Sequence, residues 1–288
     1  MNRTTQNYSQ CFTLEDLDIR GQVVQLEEVW QALHEQRGYS AQALRFLGEL
    51  SCVAVLIGAG LKYPGRAALQ IQRDRNRSNG TLLAIVDCTQ QLGLRGMVNA
   101  LEGQTAASFS EWVGDGTLAI TLSRQSSNQM YQSIVPLSGL SVAECFEHYF
   151  DQSEQLPTHL WLAANEQGAG ALLLQKLPGA DEKDADGWAR IEKLAASVSE
   201  AELISLPAAQ LLQRLFYEED IRLHALRTVQ HDCARNPAKV EAMLQALGAE
   251  EIAATLRENG NIVVVRDEIC NHEYRFDAAM IERLFSNG

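Results

Sequence analysis

Between residues 67 and 177 short apolar runs of strand length recur, each set off by turn-forming residues. That succession limits the choice of fold more than any other feature of the chain. The runs are 67–72, 81–86, 93–100, 117–122, 131–137, 160–162 and 169–177. In the fourth, Leu118, Ile120 and Leu122 alternate with Ala119 and Thr121, the period of a half-buried strand. Gly114-Asp115-Gly116 supplies a turn before it, and residues 165–168 form another between the last two runs. Helical apolar spacing over 26–33 and 41–61 precedes the strands. Ser141 to Glu144 has the form of a capping box opening a helix through Phe150. Strands in a run, with helices gathered before and after, predict the α+β class with a largely antiparallel sheet.

Residues 178–187 (PGADEKDADG) are polar, acidic and turn-forming, and mark a boundary. They divide the chain into a mixed sheet and helix domain over 1–180, a helical linker over 181–228 and a small α+β domain over 229–288. In the linker Trp188, Ile191, Leu194, Ala195 and Val198 share one stripe. A second helix starting near Pro207 carries Leu211, Leu212, Leu215 and Phe216. Two short helices cannot hide that surface alone, so the pair packs on a neighbour or on a second subunit. In the last domain Val240, Met243, Leu244 and Leu247 form one helical face, ended by Gly248, and Ile252 and Leu256 belong to another. A strand over 262–265 follows the Asn259-Gly260 turn, with Tyr274 and Phe276 as its hairpin partner. A unit this small is marginal without a metal, a disulfide or a docking surface.

With 46% hydrophobic residues in 288, the chain is globular. A net charge of −13 opposes general affinity for nucleic acid or an anionic membrane. The N-terminus has no basic region followed by an apolar stretch, and the apolar run 50–61 is too short to cross a bilayer. Six scattered cysteines without disulfide-framework spacing fit a reducing, cytoplasmic setting, with Cys52 and Cys145 as inert core thiols. No P-loop, H-E-x-x-H, G-x-S-x-G or strand-linked G-x-G-x-x-G occurs, so no enzyme, ATP or nucleotide site is expected. Gly58-Ala-Gly60 reads as a site of close helix packing, and without a C-x-x-C the usual thiol oxidoreductase is excluded.

Several stretches, in order and spacing, resemble the bacterial heat shock protein 33 family of redox-regulated holdase chaperones. They include Ile19-Arg20-Gly21, Gly60-Leu61-Lys62, Leu94-Arg95-Gly96-Met97, Tyr149 to Thr158, Gly170 to Gln175, Leu206-Pro207-Ala208 and Leu215 to Glu219. The resemblance covers nearly the whole chain. It implies a holdase that binds unfolding proteins without ATP under heat or oxidative stress, as a homodimer formed through the N-terminal domain. In the family, four cysteine thiolates hold zinc in a C-terminal switch. Oxidation makes two disulfides, releases the metal and unfolds switch and linker.

Here the four family ligand positions fall on Cys233, Arg235, Asp267 and Cys270, so two thiolates are gone. Arginine cannot ligate zinc because its guanidinium stays protonated. Three readings stand side by side. Zinc could be held by Cys233 and Cys270 with His231, Asp267 or His272 supplying nitrogen or oxygen. An Arg235–Asp267 ion pair could replace the metal as a clip, the preferred reading, or the two could be unrelated solvated replacements. Cys233 and Cys270 would face each other as what remains of the redox switch. One disulfide between them requires α-carbons within bridging range. The two-disulfide response is lost, so client binding is expected to be constitutive or triggered by heat or a simpler oxidation. A constitutive, metal-free protein-interaction module without redox response is the alternative.

Overall fold

The computed structural model describes residues 6–72, 83–99, 109–114, 116–127, 130–137, 141–258 and 260–286. The chain forms two compact units, Met1–Asp232 and Cys233–Gly288. Within the larger unit the elements run β1 (Asn7–Leu14), β2 (Ile19–Leu26), α1 (Glu28–His34), α2 (Ala41–Gly60), β3 (Gly65–Gln72), β4 (Leu83–Thr89) and β5 (Gly93–Asn99). Then come α3 (Phe109–Val113), β6 (Thr117–Arg124), β7 (Met130–Pro136), α4 (Val142–Glu154), β8 (Thr158–Ala164) and β9 (Ala169–Lys176). Four short helices follow: α5 (Ala180–Lys183), α6 (Gly187–Ala195), α7 (Glu200–Ser205) and α8 (Ala208–Leu215). Three brief strands, β10 (Ile221–Leu223), β11 (Arg227–Thr228) and β12 (Gln230–His231), close the unit.

The first sheet has the order β10-β1-β2-β9-β8, with β11 also on β1; the second is β12-β5-β4-β3-β6-β7. All pairings are antiparallel except β12 with β5. The core helix α2 packs against β8 and β9 of one sheet and against β4 and β5 of the other. Its Leu47, Leu50, Cys52, Val53, Ala54 and Val55 are fully buried. Ser40 caps its start by accepting from the Ala43 amide at 3.2 Å. At 20 residues α2 is long and apolar enough to span a bilayer, but it is mostly buried inside the fold. Gly58 serves close packing, since a Cβ there would lie 2.8 Å from Cys88 Sγ.

The strand runs read from the sequence appear as β3 to β9, with residues 81, 82 and 100 outside the described residues, as are Asp115, 138–140 and Asn259. Ser141 Oγ accepts from the Glu144 amide at 3.2 Å and starts α4 as expected. The hairpin β1–β2 was not expected: the polar N-terminus hides an alternation of Tyr8, Phe12 and Leu14 that fills the core. The segment 181–228 differs too. It is not a separate linker but part of the larger unit, with α6 to α8 lying on the first sheet and β10 and β11 joined to β1.

The smaller unit comprises α9 (Pro237–Leu247), α10 (Ala249–Glu258), a hairpin of β13 (Ile262–Asp267) and β14 (His272–Asp277), and α11 (Ala278–Ser286). Its register pairs Val263 with Phe276 and Val265 with Tyr274. Leu244, Ile252, Leu256, Val263, Tyr274, Phe276 and Ile281 form its core. Few apolar side chains share that load, so the unit depends on whatever else ties it.

Candidate functional site

The helices α6 to α8 cover an apolar face of the first sheet. Phe12 and Leu14 of β1, Val23 of β2, and Leu172 and Leu174 of β9 meet Ile191, Ala195, Leu203, Leu211, Leu212, Leu215 and Phe216. The rings of Phe12 and Phe216 lie 6.3 Å apart. The sequence-predicted stripes therefore find their neighbour within the chain. A capping box at Ser199 and Glu202 starts α7, and Pro207 breaks the chain before α8.

A polar latch sits inside this apolar contact. Gln25 is fully buried on β2, and its Nε2 donates to the Leu203 carbonyl at 2.9 Å and to the Leu206 carbonyl. Tyr8 OH donates to Gln25 Oε1 at 2.5 Å and accepts from the Ala208 amide at 2.8 Å. Burial pushes the Tyr8 hydroxyl pKa up, which keeps it the neutral donor this network needs. Gly170, opposite Gln25 on β9, lets α7 come close: a Cβ there would stand 2.2 Å from the Leu203 carbonyl oxygen. These are buried polar groups that the hydrophobic pattern of the sequence could not reveal.

Charged pairs rim the cover. Arg190 of α6 bonds Asp184 at 3.0 Å and Glu219 at 2.9 Å, Arg214 of α8 bonds Glu202, and Arg45 of α2 reaches Glu200 of α7 at 2.7 Å. His159 on β8 sits between Glu147 of α4 at 3.6 Å and Glu192 of α6 at 3.3 Å, stacked on Trp188 with centroids 5.6 Å apart. Its pKa is raised, chiefly by the hydrogen bond to Glu147 and then by the charges of both carboxylates, against desolvation. Only the imidazolium carries a proton on both nitrogens. The tie to α6 is therefore fully present below about pH 6.5, the ordinary histidine value, and is lost as pH rises through the raised one. The protection factors of α6 amides, with the intrinsic base-catalysed rise of exchange divided out, are expected to fall as pH rises through the raised His159 value, and His159→Gln is expected to flatten that dependence. An unchanged profile in the variant would remove His159 from the account.

In the smaller unit Cys233 and Cys270 are joined by a disulfide, with α-carbons 5.4 Å apart. His272 Nε2 lies 2.7 Å from the Cys233 carbonyl oxygen. The expected Arg235–Asp267 clip does not form, because each charged end serves another group. Arg235 Nη1 donates to the Glu273 carbonyl at 3.1 Å, with the guanidinium 5.7 Å above the Tyr274 ring. Asp267 Oδ1 accepts from the amides of Ile269 at 3.1 Å and Cys270 at 3.2 Å, shaping the turn that presents Cys270. The substitutes thus brace the strands around the disulfide instead of pairing.

The residues present do not fit the zinc site of a four-thiolate switch. Both sulfurs are spent on each other and Asp267 is engaged by backbone amides; His231 lies on β12. Among the described residues no three histidine, cysteine or carboxylate side chains converge on one point. Of the other thiols, Cys52, Cys88 and Cys145 are buried and Cys11 is exposed. Burial pushes Cys88 up to about 12 and Cys52 higher, so neither offers a thiolate near neutral pH.

Residues 7–277 match the family described as Hsp33 protein. The chain belongs to the Hsp33 family. It is 39% identical to the 33 kDa chaperonin of Nitrosococcus oceani over 276 residues, covering 96% of this chain and 93% of that relative. The 33 kDa chaperonin of Methylobacillus flagellatus is 37% identical over 278 residues, with the same two coverages. In fold, this Hsp33 chain is similar to the crystal structure of the 33 kDa chaperonin from Thermotoga maritima. The TM-score is 0.78 at 20% identity, over 98% of both chains.

Proposed function

We propose that this Hsp33 chain is an ATP-independent holdase whose client surface is the apolar face of the first sheet, covered at rest by α6 to α8. The observation that carries the reading is the cover itself. Three short helices hide a continuous apolar face, and a buried latch of a few hydrogen bonds seats them on it. Large apolar faces, when uncovered, bind other apolar surface without sequence preference. The relatives named chaperonins support that reading over an enzyme. A cytoplasmic homodimer without zinc, nucleotide or nucleic acid is part of the proposal.

The redox element is a single disulfide staple in a small unit, in place of a metal-held switch. Its first residue, Cys233, directly follows Asp232, the end of the segment that carries the cover. Melting that unit is proposed to release the chain that follows α8 and so favour the uncovered state. The test is light scattering from a thermally unfolding client protein, with this chain oxidised, reduced or warmed. Suppression of aggregation in at least one state is expected. Failure in all three would end the holdase reading, and equal suppression in all three would favour a constitutive interaction module.

A further inference from the structure

We propose that the outer edges of β1 and β5 are receptor strands for extended segments of unfolding polypeptide, occupied at rest by this chain's own residues 221–232. The inference rests on the holdase reading and assigns it a second, backbone-directed mode of capture.

In the sheet order, β1 and β5 would be edges if the strap 221–232 were absent. The strap pairs Ile221 to Leu223 with Leu14 to Phe12 and Arg227 and Thr228 with Ser9 and Tyr8, then crosses to lie parallel to β5. Its attachments are largely main-chain. His224 donates to the Cys11 carbonyl at 3.0 Å, Val229 to Asn7 at 2.9 Å, Gln230 to Leu92 at 2.9 Å and Asp232 to Leu94 at 2.8 Å.

Val229 alone among residues 221–232 is buried, while Leu223 and Leu226 face solvent. Side chains add further pins: Arg227 donates to the carbonyls of Ala59 and Gln90, Arg222 pairs with Glu15 at 2.8 Å, Arg66 with Asp232 at 3.8 Å, and Gln10 Nε2 donates to the His224 carbonyl at 2.9 Å. Backbone ladders read no sequence, and a strand added to an open edge is a recurring mode of peptide capture. The strap shows what fits: an extended segment with one apolar side chain where Val229 sits and few other demands. Its strands are three, two and two residues long, short enough to be displaced. An open edge is otherwise a site of uncontrolled strand pairing, which the strap prevents at rest.

The test uses the full chain in a Gln25→Ala background that unseats α6 to α8. His224→Cys places a thiol opposite exposed Cys11, so a short bis-maleimide, adding across both thiols, can pin the strap while the buried thiols and the disulfide are spared. The probe is reduced, carboxymethylated α-lactalbumin, which stays unfolded. The pinned protein is expected to bind it about tenfold more weakly than the same variant unpinned. Equal binding overturns this inference alone, whereas no binding by the unpinned protein sinks the holdase reading and this with it. A synthetic peptide of residues 219–232 is expected to compete about tenfold better than its copy N-methylated at His224, Val229, Gln230 and Asp232. Equal competition by both, or by neither, overturns the backbone mode.

Discussion

Reduction of the Cys233–Cys270 disulfide is expected to melt the C-terminal unit while leaving the two sheets folded. The bond links residues 37 apart, and closing a loop of that size in the unfolded chain stabilises by about 4 kcal/mol. A unit this small has only a few kcal/mol of stability from its own core. Removing the staple should lower its melting point by about 20 °C. The measurement is amide exchange of residues 240–281 with and without reductant, and Cys270→Ser should match the reduced protein. Protection that survives reduction would show that packing alone holds the unit. Adding zinc to reduced protein is expected to restore nothing, and recovery of the oxidised melting point would reveal a degenerate site around Cys233, Asp267, Cys270 and His272.

The sense of this response is opposite to the one the family resemblance implies. A four-thiolate switch is folded when reduced because metal ties it, and oxidation removes the tie. Here the oxidised bond is the tie, and among the described residues no group of three or more metal-ligating side chains gathers around its two sulfurs. Client capture is therefore expected to rise on reduction. A rise on peroxide treatment of the reduced chain, of the size a four-cysteine relative shows, would refute this.

The α+β class, the strands from β3 to β9 and the cover helices α6 and α8 were legible from their apolar runs and helical stripes, whereas α7, six residues long, was not. Hairpin β1–β2 escaped notice because Ser9, Gln10 and Gln25 interrupt its pattern, and Gln25 is the residue on which the cover turns. The strap strands are two or three residues long, below any periodic signal. At the positions that the resemblance implied as ligands, the sequence did not disclose the partners of Arg235 and Asp267. Opposite charges at converging positions suggested a pair, yet a guanidinium beside Tyr274 and a carboxylate in a turn each found nearer polar groups in the backbone.

Gln25→Ala is expected to unseat α6 to α8 and make client binding independent of any trigger. Gln25 satisfies two carbonyls of the cover and fixes the Tyr8 hydroxyl that holds the Ala208 amide. Removing it leaves those groups buried without partners, a cost of about 1–3 kcal/mol for each group that water cannot reach. A total near 3 kcal/mol raises the uncovered fraction about a hundredfold. The loss falls only on the covered state, because water satisfies the same groups once the helices lift. Gly170→Ala reaches the same end by a different route. Its added methyl cannot share space with the Leu203 carbonyl, and backbone on both sides leaves little room to yield. Both variants should bind an apolar dye strongly and suppress client aggregation while fully oxidised, with β1 to β9 still protected from exchange. Gln25→Glu separates the latch from simple packing. It keeps the shape but loses the donor, so it should open the cover as far as alanine does. If Gln25→Glu stays closed, apolar contact holds the helices and the hydrogen bonds are incidental.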